Sequence, residues 1–135
     1  MEIASAFQRR GLLFVLSSPS GAGKSTMIKM MTGILVPSSG TLSVLGRTPH
    51  HHRVANAHKI GVVFGQRSQL WWDLPLIDSL ELLGHIYRVP QARYLENLRR
   101  FTDLLDLGSF VDQPVRQLSL GQRMRAEFAA ALLHD

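Results

Sequence analysis

The sequence predicts an α/β protein, a partial and mainly parallel sheet carrying an α-helical insertion. Three observations lead there. A short apolar run at 12–17, LLFVLS, feeds a glycine-rich loop that opens a helix. A second run at 60–64, IGVVF, has the composition of another buried strand. From Leu76 onward the apolar residues fall at helical spacing.

In chain order, residues 1–10 read as a polar leader, followed by the strand and then a helix from about Lys24 to Leu35 that Gly33 interrupts late. VPSSG at 36–40 is turn chemistry, and TLSVLG at 41–46 alternates like an edge strand. The histidines at 50–52 sit in a polar connection before the strand at 60–64. LIDSLELLGHIYR at 76–88 is a helix that Pro90 stops. Leu95, Leu98, Phe101, Leu104, Leu105 and Leu107 mark an amphipathic helix ended by Gly108. The last helix spans Leu120 to His134, and Ser119 with Gln122 three residues on forms a capping box at its start.

Composition narrows the function classes. Of the 135 residues, 45% are hydrophobic and 19% charged, which permits a buried core and argues against general disorder. Cysteine is absent, so disulfides and thiolate metal sites are excluded. No apolar run reaches the roughly 18 residues of a membrane span, and the chain reads as soluble and cytoplasmic. The net charge of +5 comes from scattered arginines without a long basic block, which favours solvated faces over a nucleic-acid partner. His50, His51, His52 and His58 lack a carboxylate or cysteine at ligand spacing and read as a solvated loop rather than a metal site.

The chemistry concentrates in SPSGAGKST at 18–26. Gly21 and Gly23 let the backbone curl so that successive amides, from Ser20 through Ala22, point at phosphate oxygens. Lys24 sets an ammonium against the terminal phosphates, the Ser25 hydroxyl suits Mg²⁺, and Thr26 continues into a helix whose positive dipole end faces the anion. Ser18 stands where the P-loop pattern has its first glycine, a position that shapes the loop entrance more than the phosphate nest. A preceding strand and a following helix make this a P-loop NTPase core that binds nucleotide.

Two families resemble the chain. RRGLLFVLSSPSGAGKST at 9–26 looks like the start of guanylate kinase, but nothing downstream resembles that enzyme's guanylate-binding region. Three ordered features instead resemble the nucleotide-binding domain of ATP-binding cassette (ABC) transporters. MIKMMTGILVPSSGTLSVLG at 27–46 is similar to the helix and turn after that family's P-loop. IGVVFGQRSQLWWDLPLIDSLELL at 60–83 resembles its Q-loop region, with Gln66 at the glutamine position once one residue is inserted after Phe64. LSLGQRMRAEFAAALLHD at 118–135 resembles the family signature, with Leu120 in place of a glycine.

The resemblance implies an ATP-binding transporter subunit with ATP and Mg²⁺ as cofactors. It implies a second nucleotide-binding domain paired head to tail, and a membrane permease that holds the chain at the inner face of the cell membrane. Each ATP would lie between one P-loop and the partner's signature, where Ser119, Gly121 and Gln122 offer a hydroxyl, an unhindered amide and a helix N-terminus. Gln66 would reach Mg²⁺ or the attacking water. The implied division is a P-loop core with the Q-loop at about 1–75, a helical subdomain at about 76–120, and signature and helix at 119–135. LWWDLP at 70–75 reads equally as a dock for the permease or as packing between core and helical part. For base stacking only Phe7 and Phe14 lie upstream of the loop.

In the family an apolar strand ending in Asp-Glu follows the signature helix, and this sequence ends at LLHD before any such strand. The resemblance therefore implies an N-terminal portion unable to hydrolyse ATP alone, with apolar strand edges such as 60–64 left unpaired. A nucleoside-monophosphate kinase and a non-hydrolysing nucleotide-binding module are the alternatives.

Overall fold

The computed structural model describes residues 12–16, 22–64 and 67–134. Two strands and five α-helices occur among them: β1 (Leu12–Leu16), α1 (Ala22–Met31), α2 (Arg53–Ala57), β2 (Ile60–Phe64), α3 (Leu76–Ile86), α4 (Gln91–Leu104) and α5 (Leu120–Leu132). A 3₁₀ turn at Val115–Gln117 precedes α5.

The strands are parallel, from Leu12 opposite Ile60 to Leu16 opposite Phe64. One edge of strand 60–64 is thus paired along its whole length, while among the described residues its other edge has no strand partner. Two runs of aliphatic residues satisfy each other's backbone groups and avoid an open edge between them.

Helix α1 begins at Ala22, two residues before the expected start, and ends at Met31 rather than Leu35. The reason lies at Gly33, whose φ of +81° turns the chain out of the helix, while its Cα faces the Pro49 carbonyl so closely that a Cβ would come within 2.6 Å of the oxygen. Residues 41–46 form no strand. Leu45 and Gly46 both take left-handed backbone, φ +51° and +74°, so the chain folds straight back and Val44 and Arg47 bond each other at 2.8 and 3.1 Å. The connection after the histidines winds into the short α2, which the sequence reading missed.

The helical block follows the apolar periodicity closely. Helix α3 buries Leu76, Leu80 and Leu83, and Arg88 with φ +54° ends its run before Pro90 caps α4. Helix α4 stops at Leu104, short of Gly108, because Asp106 turns left-handed and Arg125 of α5 reaches the freed carbonyls of Leu105 and Asp106 at 3.2 and 3.3 Å. These helices and the 107–118 segment enclose one buried cluster that includes Leu70, Leu76, Leu80, Phe101, Leu107, Phe110, Val115 and Leu118. Asn97 of α4 ties the far end of α5 through a 3.0 Å bond to the Leu133 carbonyl.

Sheet and helical block meet at β2 and α5. Gly61 lies so close under Ala131 that a Cβ at position 61 would overlap the Ala131 carbonyl oxygen. Glycine is required there by proximity rather than by backbone angle.

Candidate functional site

Two helix N-termini carry the residues expected to meet nucleotide. The first is α1, which opens with Ala22, Gly23, Lys24 and Ser25 in its first turn and Thr26 next, directly after the strand that feeds it. Ser20, Gly21, Gln66 and Phe7 lie outside the described residues, and Phe14 is a member of β1 paired with Val62.

The second is the start of α5, built with more definition. Ser119 is the N-cap: its Oγ accepts from the Gln122 amide at 3.2 Å, while Gln122 Oε1 accepts from the Ser119 amide at 2.9 Å. The capping box read from sequence is present, and it fixes where the helix begins. Leu118 is buried and anchors the turn from below. Above it, Leu120 is 72% exposed and nothing approaches the position a Gly121 Cβ would take. An open first turn with a hydroxyl and small-residue backbone is suited to phosphate.

The segment between β2 and α3 lies against α5. Glu127, only 3% exposed, accepts a hydrogen bond from the Ser68 hydroxyl and one from the Gln69 amide at 3.4 Å. Burial pushes its carboxyl above the ordinary range, opposed by those two bonds and by the Arg123 charge. The Arg123 guanidinium lies over the Trp72 ring, 4.5 Å from its centroid. Trp72 O accepts from the Arg116 amide at 2.9 Å, Leu74 O from Val115 at 3.1 Å, and Asp73 pairs with Arg116 at 3.1 Å. Trp71 and Trp72 remain 39% and 50% exposed, whereas Leu70 beside them joins the core. The two readings of LWWDLP are thus divided by residue: leucine packs and the indoles present surface.

Sequence reasoning did not find Glu127, Ser68 or Arg123. The available signal was a lone carboxylate in an alanine-rich helical run, four residues after an arginine and hence on the same face. Beside Glu127 a cleft of about 360 Å³ is lined by Gly61, Arg67, Ser68, Tyr87 and His134 among others. The Tyr87 and His134 rings stack there with centroids 4.5 Å apart. No group of three or more His, Cys, Asp or Glu able to hold a metal occurs among the described residues. None of their helices is long and apolar enough to cross a membrane.

Residues 5–135 match the family described as ABC transporter, a span that takes in the P-loop, the Q-loop region and the signature together. The chain belongs to the ABC transporter family. It carries ATP-binding-domain sequence of that family on a P-loop NTPase α/β fold. Among curated relatives of the ABC chain, the Nod factor export ATP-binding protein I of Ralstonia nicotianae is 34% identical over 94% of this chain and 39% of its own length. The sn-glycerol-3-phosphate import ATP-binding protein UgpC 1 of Rhizobium etli is 35% identical over 93% of this chain and 35% of its own. A solved structure of cbiO1 from Clostridium perfringens, described as part of the ABC transporter complex cbiONQ, superposes with a TM-score of 0.72 at 23% identity, covering 93% of this chain and 51% of that one. The ABC chain therefore spans well under half the length of those two curated relatives and about half that of the solved one.

Proposed function

We propose that this chain supplies the P-loop-to-signature part of the ATP-binding subunit of an ABC transporter and binds ATP with Mg²⁺. The observation that carries the reading is the pairing, in one family-matched chain, of a P-loop opening α1 with an exposed, capped first turn of α5 at Ser119, Gly121 and Gln122. Lys24 and the backbone from Ser20 to Gly23 would hold the phosphates. Ser25 and Gln66 would face Mg²⁺, with Thr26 at the loop's end. The first turn of α5 would meet the nucleotide of a second domain paired head to tail. The proposed division is a core at about 1–75, a helical part at about 76–120 and the signature with its helix at 119–135. The kinase-like opening at 9–26 serves as the cassette P-loop in this reading.

The exposed indoles of Trp71 and Trp72 support a permease as the partner on that face, which would hold the chain at the inner membrane surface. The relatives' names include both export and import, so the likeness carries the ATP-binding part and not the cargo.

Calorimetric titration of the protein with ATP·Mg tests the reading. Wild type binds and Lys24→Ala loses most of its affinity; equal affinities would remove the P-loop from the account. A companion assay with GMP and ATP yields no GDP, and lysine-dependent GDP formation would favour the kinase instead.

A further inference from the structure

Arg123, Glu127 and Ala131 recur every four residues along α5 and so share one side of it. Each meets the chain around β2 and the loop that leaves it. Ala131 closes over Gly61, Glu127 takes the Ser68 hydroxyl and the Gln69 amide, and Arg123 covers Trp72. The loop from Ser68 to Trp72 is thus held at both ends by side chains one helical turn apart, with Leu70 between them sunk into the core.

The helix dipole does not favour Arg123. A cation in the first turn faces the positive end of the helix dipole, the unfavourable end. Its Nε is buried without a hydrogen-bond partner, and the guanidinium lies between the face of the Trp72 ring and the charge of Glu127 one turn on. Its backbone amide donates to the Ser119 carbonyl at 2.8 Å, which links this side chain's position to the residue that caps the helix. On the other side, Trp72 is fixed through its carbonyl to Arg116, two residues before the buried Leu118.

We infer that Trp72 is a positioning residue that acts through Arg123 to set the first turn of α5, Ser119 to Gln122. The inference rests on the nucleotide reading above and deepens it. When phosphate engages that turn, Arg123 moves with it and the indole environment changes. An indole that served only as a docking surface would not respond to nucleotide.

Trp71 and Trp72 are the two tryptophans of the chain, so Trp71→Phe leaves Trp72 as sole emitter. Emission of that variant is followed during titration with ATP·Mg, with calorimetry run in parallel and sedimentation reporting the nucleotide-bound dimer. The emission changes along the calorimetric binding curve, and Arg123→Ala abolishes the change while ATP still binds. Arg123→Lys keeps the charge and the stem but loses the planar face, and it shrinks the response if the alanine variant fails to fold. ATP bound in a sedimenting dimer with silent emission overturns this inference alone, as does a full response in either Arg123 variant, and ATP bound without dimer formation overturns the head-to-tail reading and this inference with it. Absence of calorimetric binding overturns the nucleotide reading and this inference with it.

Discussion

Residues 70–133 supply every member of the buried cluster around Leu76, Leu80 and Phe110, whereas β1 and β2 meet through a single parallel ladder. The helical block has a core of its own, contributed by three helices and the segment that connects them. A pair of strands is marginal in isolation, and the pair found among the described residues leans on α5 through Gly61 and Ala131. The lesson is that the exposed turn at Ser119 sits on the better-packed region, while β1 and β2 depend on support from α5.

The largest effect should come from hollowing the stronger region. Phe110 is 1% exposed, and Phe110→Ala should cost about 3–5 kcal/mol, read as a lower urea midpoint with an unchanged slope. A cost near zero would mean the helical block is not the main source of stability. Next, Glu127→Ala removes the acceptor for Ser68 and Gln69 at the join and should cost about 1.5–3 kcal/mol. Hydrogen exchange would sharpen the comparison, since β2 amides should lose protection before those of α3; equal loss in both would merge the two regions into one.

A smaller effect is expected at the exposed end of the stronger region. Ser119→Ala should cost about 1 kcal/mol of stability, measured by thermal or urea unfolding, because it removes one half of the capping box. A neutral result would show that the capping bonds add nothing net to the stability of the helix.

The smallest effect is a pH slope. Burial raises the Glu127 carboxyl above 4.5, so the folded chain keeps this proton to higher pH than the unfolded chain. Its contribution is fully present below that value, declines as pH rises through the folded value, and is flat above it. Glu127→Gln should remove that slope from the urea midpoint measured against pH, and an identical slope in both proteins would assign it elsewhere.

The helical block was readable because its periodicity and breakers agree: Leu76, Leu80 and Leu83 face inward, Pro90 separates α3 from α4, and Ser119 with Gln122 marks α5. The first region was less so. Alternation at 41–46 resembles a strand, yet two left-handed residues at Leu45 and Gly46 forbid one, and leucine gives no warning of positive φ. Helix α1 overran in the reading because Gly33, read as a late interruption, ends it outright: its φ of +81° turns the chain away, with the Pro49 carbonyl, a long-range neighbour, packed against it. The proposed nucleotide site rests on motifs read at Lys24 and Ser119, of which the capping box at Ser119 is seen in the structure. The contacts of Glu127 with Ser68 and of Arg123 with Trp72 were not legible, since they join positions dozens of residues apart and depend on how α5 is rotated.

That rotation has a consequence for insertions. Ser119 and Gln122 fix the residue at which α5 begins, and each residue added after them turns the helix by roughly 100°. One extra residue between Gln122 and Arg123 would put the whole stripe out of phase, carrying Arg123, Glu127 and Ala131 away from Trp72, Ser68 and Gly61 together. The stretch from 119 to 131 should therefore tolerate no change of length, with its spacing as much a part of the motif as its letters.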